Sequence, residues 1–98
     1  VNKGILTLRI GEMFEKTKRY DEAIESYKKV LDLAPNMLEP LEKLVDIYLR
    51  HENWAAVLET LNTLDECLDD QFLKEKVREG ISRLQGAMDD IHKGHSNA

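Results

Sequence analysis

The residues of this 98-residue chain that could bind a metal ion lie near its C-terminal end. His92 and His95 are three residues apart, a spacing at which two imidazoles on one helix can hold Zn²⁺. Gly94 lies between them, the surrounding segment is polar, and packing fixes no third ligand. The sequence therefore predicts a frayed polar tail over residues 93–98 rather than a metal site, and it indicates no cofactor.

Carboxylates are the other groups that could do chemistry. Glu12, Glu15 and Asp46, or the adjacent Asp69 and Asp70, could act as an acid–base pair only if one carboxyl were desolvated while another stayed ionised. Charged residues on open helix faces stay solvated. The sequence also lacks a glycine-rich phosphate loop and a Ser-His-Asp order with a strained turn. We therefore predict that the chain is not an enzyme.

Composition limits the compartment and the class of protein. Cys67 is the only cysteine, so the chain cannot form an internal disulfide, and a disulfide-built secreted scaffold is not expected. We predict a cytoplasmic or other reducing intracellular compartment. No apolar run approaches the roughly 20 residues that span a bilayer, which argues against membrane insertion. Because the chain starts at Val1 rather than at methionine, we expect it to be part of a longer protein.

The net charge of −5 is concentrated in the middle third of the chain. Residues 1–34 carry seven Lys/Arg and six Asp/Glu, residues 35–68 carry two and seven, and residues 69–98 carry five and six. An acidic surface repels phosphate backbones, so we do not expect a nucleic-acid partner. It attracts basic segments instead.

The elements that position these groups repeat at a spacing of 34 residues. Apolar, aromatic and small residues recur at that distance, as in the pairs Ile10 and Leu44, Phe14 and Tyr48, Tyr20 and Trp54, and Ala23 and Val57. A period of this length indicates stacked helix–turn–helix units. Apolar spacing predicts helices at about Lys3–Lys16, Asp21–Leu33, from Leu38, at about Trp54–Cys67 and at about Gln71–Ile91. The fifth helix has a single apolar stripe, which is typical of a capping helix.

Gly11 interrupts the apolar side of the first helix. A glycine in a helix costs about 1 kcal/mol relative to alanine, so it needs a structural reason. We expect that reason to be the close approach of a second helix backbone.

The first repeat resembles a tetratricopeptide repeat. The residues that carry the resemblance are Ile10, Gly11, Phe14, Tyr20, Ala23, Tyr27, Val30 and Pro35, and residues 19–36 follow the family pattern throughout. Thr7 departs from it, since the family often has tryptophan or leucine there. The second repeat is looser, with Val45 and Val57 in place of small residues and Asp69 in place of the closing proline.

This resemblance implies an all-α, right-handed helical-hairpin solenoid of five antiparallel helices. We expect one domain over residues 1–92, with repeats at about 4–37 and 38–70 and a capping helix at about 71–91. In the family, the first helix of each hairpin lines a concave groove. The candidate groove residues are Leu8, Glu12 and Lys16 on the first helix, and Glu39, Glu42, Asp46, Leu49 and Arg50 on the third.

The groove chemistry favours one kind of partner. One branch of the family binds acidic C-termini through lysines, arginines and asparagines. In this sequence, four of the equivalent positions hold Leu8, Glu12, Glu42 and Asp46 instead. We therefore expect a basic or mixed basic–apolar protein segment. The alternative interpretation is that these charges only keep the surface soluble.

The sequence thus predicts a non-enzymatic interaction or scaffold module that binds a partner segment in its groove. The alternative is self-assembly into homo-oligomers through exposed repeat ends, which a bare patch at Ile5, Leu8 and Met13, or at the ends of the fifth helix, would favour. A third interpretation is an accessory domain of an enzyme.

Overall fold

The computed structural model describes residues 2–96, with side chains for residues 2–90. It contains five α-helices and, within the described range, no strand. The helices are α1 (Lys3–Lys16), α2 (Tyr20–Leu33), α3 (Leu38–Arg50), α4 (Trp54–Cys67) and α5 (Gln71–Ser96). Each helix packs on the next one in sequence. The fold is an all-α helical-hairpin solenoid, as the sequence predicts.

The two hairpins turn in the same way. Lys18 and Glu52, which are 34 residues apart, both adopt a positive φ, of 62° and 55°. The residue that follows each of them donates its backbone N–H to a carbonyl in the last turn of the preceding helix. Arg19 donates to the Phe14 carbonyl at 2.8 Å, and Asn53 donates to the Tyr48 carbonyl at 3.0 Å. This is the Schellman pattern that closes helix C-termini. The repeat therefore holds in the backbone as well as in the sequence.

Side-chain caps fix three helix starts. The Asn2 Oδ1 accepts a hydrogen bond from the Gly4 N–H at 2.8 Å. Asn53 accepts from the Ala56 N–H at 3.3 Å, and Asp70 accepts from the Leu73 N–H at 3.0 Å. All three caps are Asn or Asp, which are among the residue types favoured at this position. Each of them satisfies a backbone donor that the first helical turn leaves free.

The fifth helix is longer than the sequence predicts. α5 extends to Ser96, beyond the predicted end at Ile91. Residues 93–96, which belong to the segment predicted as a frayed tail, have a helical backbone. Residues 97 and 98 lie outside the described residues.

A continuous core joins the first four helices. Its buried members are Leu8, Ala23, Tyr27, Val30, Leu44, Ile47, Tyr48 and Val57. A second helix does approach Gly11 closely, but the contact is made by a side chain and not by the helix backbone that the sequence analysis expected. A Cβ atom at Gly11 would lie 2.7 Å from Cε1 of Tyr27, so an aromatic ring rather than the helix backbone excludes a side chain there. Tyr27 is fully buried, so the ring has little freedom to move away.

α5 packs on the second hairpin through apolar and polar contacts. Val77 packs against a second core cluster formed by Leu41, Leu64 and Leu68. Asp65 of α4 holds α5 as well, because its backbone carbonyl accepts from Lys74 Nζ at 2.9 Å and its carboxylate pairs with Arg78 at 3.1 Å.

Candidate partner-binding groove

The predicted groove residues lie on α1 and α3, but one of them is not available to a partner. Leu8 is only 1% exposed and belongs to the core that joins the two hairpins. The expectation that Leu8 contributes to a binding surface is therefore wrong. The sequence pattern placed Leu8 outside the packing stripe of α1, but neighbouring helices cover it.

Glu12 is the charged centre of the contact between α1 and α3. Its Oε1 lies 2.7 Å from the Arg9 guanidinium on its own helix and 3.5 Å from Lys43 Nζ on α3. Arg9 in turn lies 4.0 Å from Glu39 of α3. These contacts form a bridge of alternating charges between the two helices, so Glu12 already has two cationic partners within the chain.

The outer part of α3 presents a different arrangement. Glu42, Asp46 and Leu49 are spaced four and three residues apart, which places them on one face of the helix. All three are exposed, and Leu49 retains 46% of its surface. Asp46 pairs with Arg50 at 2.9 Å, whereas Glu42 makes no ion pair with any described residue. This face therefore offers one apolar side chain beside one carboxylate that is free to pair.

A shallow cavity of about 390 Å³ lies between α1 and α3. It is lined by Glu12, Glu15, Lys16, Lys43 and Arg50. Three of these, Glu12, Lys16 and Arg50, are among the candidate groove residues, whereas Glu15 is not. With two carboxylates and three cations, the cavity is not acidic, which differs from the charge that the sequence suggested for this region.

Glu15 has a structural role that the sequence did not reveal. Its Oε1 accepts a hydrogen bond from the Tyr27 hydroxyl at 2.7 Å, across the interface between α1 and α2. Burial, followed by this hydrogen bond and the nearby negative charge of Glu15, raises the pKa of Tyr27 well above its ordinary value. No local pattern indicates the pair, because the two residues are twelve positions apart and meet only in the folded hairpin.

The other candidate groups do not converge on a reactive site. The described residues contain no group of three or more His, Cys, Asp or Glu side chains placed to hold a metal ion. The side chains of His92 and His95 lie outside the described residues. Cys67 is half-buried, with its Sγ 3.6 Å from the Pro35 carbonyl oxygen. Every buried polar side-chain atom in the described part of the chain has a hydrogen-bond partner.

None of the helices formed by residues 3–96 combines the length and hydropathy that a bilayer-spanning segment requires.

Comparison with sequence models of known protein families gives a match to the first hairpin. The sequence model of the tetratricopeptide repeat matches residues 8–37, which run from the second turn of α1 to the start of the second hairpin. Residues 8–37 are a tetratricopeptide repeat. The five-helix structure fits a tetratricopeptide repeat protein, since the second hairpin repeats the turn geometry of the first. No curated protein and no solved structure matches the chain.

A tetratricopeptide repeat implies a role in protein–protein interaction. Such repeats are typically non-enzymatic modules that bind proteins or peptides.

Proposed function

We propose that this tetratricopeptide repeat domain binds a short segment of a partner protein across the exposed faces of α1 and α3. The observation that carries the proposal is the exposure of Leu49 on the same helical face as Glu42 and Asp46. An apolar side chain beside carboxylates suits a segment that carries a basic residue next to an apolar one. Such a segment matches the basic or mixed basic–apolar partner that the sequence favours.

The charge arrangement supports a partner with few basic residues rather than a strongly basic one. Glu42 is free to pair, but Glu12 and Asp46 already have cationic partners in the chain. An exposed ion pair contributes at most about 1 kcal/mol, and burial of the exposed half of Leu49 contributes about 1 kcal/mol. We therefore expect modest affinity, with contributions from both charge and apolar contact. Lys16, Glu39 and Arg50 would form the polar rim.

A peptide-display selection against the 98-residue chain tests this proposal. We expect enriched peptides to contain Lys or Arg beside a large apolar residue. The test variant is Glu42→Lys/Asp46→Lys, which should weaken binding of those peptides at least tenfold. Its matched control is Glu59→Lys/Glu66→Lys, which makes the same charge change on exposed positions of α4.

Two outcomes would contradict the proposal. Enrichment of acidic peptides would reverse the predicted chemistry. Equal loss of binding in the test variant and the α4 control would show that only the overall charge matters, which is the interpretation of these residues as a solubilising surface.

Self-assembly by end-to-end stacking receives less support. α1 exposes apolar residues at one end of the array, among them Ile5 and Met13. At the other end, the α5 positions that correspond to the α2-facing residues of α1 are Glu75, Glu79 and Ser82, all of them exposed. The exposed ring of Phe72 lies beside them. An apolar end and an end that sets one aromatic ring among charged residues are poorly matched. Sedimentation at two concentrations checks this point, and we expect no concentration-dependent association.

A further inference from the structure

A cavity of about 440 Å³ opens between α2 and α4 and shares no residue with the α1–α3 groove. We call it the α2–α4 cavity. Its floor is formed by Leu41, Leu44 and Tyr48 of α3, each less than one-tenth exposed. Asp32 of α2 lies in one wall and Glu59 of α4 lies in the other. The volume falls at the lower end of the range of about 300–1,000 Å³ that is typical of ligand pockets.

The hydroxyl groups in the α4 wall can only accept hydrogen bonds from an occupant. Thr60 Oγ1 donates its proton to the Ala56 carbonyl at 2.7 Å, and Thr63 Oγ1 donates to the Glu59 carbonyl at 3.2 Å. A hydroxyl carries one proton, so only its lone pairs remain for a ligand. At these positions the α4 wall therefore offers acceptors and no donor.

Tyr48 is a buried polar side chain without a partner. It is 7% exposed, and its hydroxyl makes no hydrogen bond with a described residue. Every enclosed polar side-chain atom in the described part of the chain does have a partner. The Tyr48 hydroxyl must therefore reach open space, and the open space that this residue lines is the α2–α4 cavity. Because a buried tyrosine hydroxyl usually finds a partner, this one indicates an occupant.

The carboxylates in the two walls have no cationic partner in the described part of the chain. Neither Asp32 nor Glu59 makes an ion pair there. Lys28 is the only cation in the lining, and it pairs with neither of them. Two carboxylates and one ammonium leave the cavity with a net negative charge, so the lining favours a cation that brings several hydrogen-bond donors.

Arginine matches this lining better than any other side chain. Its guanidinium is always charged and carries five N–H donors and no acceptor. It is less strongly hydrated than the lysine ammonium and stacks on aromatic rings such as that of Tyr48, while its methylene stem packs on apolar surface. A carboxylate would meet two like charges, and a purely apolar side chain would leave the acceptors without donors.

We propose that the α2–α4 cavity binds an arginine side chain of a partner protein. The guanidinium lies between Asp32 and Glu59 and donates to the Tyr48 hydroxyl, and the stem covers the leucines of the floor. This site is separate from the α1–α3 groove and does not depend on the function proposed for it.

A second copy of this chain is a poor source of that arginine. Of its five arginines, Arg9, Arg19, Arg50 and Arg78 each pair with a carboxylate of their own chain. Arg83 on α5 makes no ion pair with a described residue, and it is the one arginine whose insertion into another copy has to be tested.

The probe for the test is N-acetyl-arginine N-methylamide, titrated into the ¹⁵N-labelled 98-residue chain. We expect saturable chemical-shift changes in the millimolar range at the amides of residues 31–32 and 56–63. The citrulline analogue has the same length but no charge and should bind at least about fivefold more weakly, since it cannot form ion pairs with the two carboxylates. The lysine analogue should also bind more weakly, because its ammonium has three donors and is more strongly hydrated.

Three variants of the chain test the individual contacts. Asp32→Asn/Glu59→Gln should weaken binding of the arginine compound about fivefold, because two exposed ion pairs are lost. Tyr48→Phe keeps the ring and removes only the hydroxyl, so binding should weaken about two- to threefold. Lys28→Gln removes the like charge from the lining and should strengthen binding about twofold.

Two control variants separate this site from surface charge and from the groove. Asp21→Asn/Glu66→Gln makes the same charge change on exposed positions of α2 and α4 outside the cavity and should bind as the wild type does. Glu42→Lys/Asp46→Lys alters only the groove and should leave the cavity amides responsive. In the peptide selection, a peptide that is lost with Glu59→Lys/Glu66→Lys but kept by the groove variant occupies the cavity.

Four results would overturn the proposal. One is equal binding of the arginine and citrulline compounds. Another is a set of shift changes confined to Glu42 and Leu49 on α3, which would place the cation in the groove and leave the proposed groove function standing. The third is equal weakening by the cavity variant and the Asp21→Asn/Glu66→Gln control. The last is a concentration-dependent association that Arg83→Gln abolishes, which would identify a second copy as the source of the arginine.

Discussion

Replacing Gly11 with alanine tests the contact between α1 and α2. The new Cβ would lie 2.7 Å from Cε1 and 2.9 Å from Cδ1 of Tyr27, whereas carbon atoms in favourable contact are about 3.5–4.0 Å apart. The ring cannot move freely, because it is fully buried and its hydroxyl is bonded to Glu15 at 2.7 Å. We expect the helices to separate slightly or the ring to leave its preferred position.

Two opposing free-energy terms set the magnitude for Gly11→Ala. Overpacking of a well-filled core costs about 1–3 kcal/mol. Alanine is favoured over glycine in a helix by about 1 kcal/mol, which offsets part of that cost. The net result should be destabilisation by about 1 kcal/mol.

Gly80 provides the matched control, because it lies inside α5 and a Cβ there would meet no atom within 4 Å. Gly80→Ala gains helix propensity without a steric cost and should stabilise the chain by up to about 1 kcal/mol. The difference between the two variants therefore isolates the steric term of about 1–3 kcal/mol.

Urea unfolding followed by far-UV circular dichroism measures this difference. With a urea dependence of about 1–1.5 kcal/mol per molar, the midpoints of the two variants should differ by about 0.7–3 M. In a Tyr27→Leu background, which removes the ring, Gly11→Ala should lose most of its cost. Equal midpoints for Gly11→Ala and Gly80→Ala would refute the contact as the reason for the glycine.

Three further predictions concern single side chains. Because the pKa of Tyr27 is raised above 10.0 in the folded state, its contribution to stability is present below pH 10 and is lost as the pH rises above that value. The unfolding free energy of Tyr27→Phe should therefore fall less steeply above pH 10 than that of the wild type. A parallel fall in both proteins would contradict the assignment. Ile47→Ala should destabilise the chain by about 2–5 kcal/mol, since Ile47 is fully buried between the hairpins, and a urea midpoint within error of the wild type would argue against that packing. Asn53→Ala should cost about 1 kcal/mol in thermal or urea unfolding through loss of the α4 cap, whereas Asn62→Ala, an exposed substitution inside α4, should not.

Helix positions could be predicted from the sequence because they depend on local signals. The bounds of α1 and α4 agree with the spacing of apolar residues, and the caps at Asn53 and Asp70 follow from side chains that prefer those positions. The end of α5 was missed, since the polar segment after Ile91 has no apolar stripe to indicate a helix.

The candidate site was less predictable. Glu12, Lys16 and Arg50 do line one cavity, as their helix positions suggested. The sequence does not show which cation each carboxylate pairs with, so the ion pair between Glu12 and Lys43 could not be predicted. That pairing removes much of the negative character that net charge alone assigns to this region.

The sequence by itself determined the helices, their hairpin turns and the register between repeats, because helix propensity, capping and apolar periodicity act within one or two turns of chain. The tertiary structure alone decided which apolar residues are covered. Leu8 is buried and Ile10 is exposed on the same helix. Their chemistry is similar, and the difference arises from which side of α1 another helix occupies.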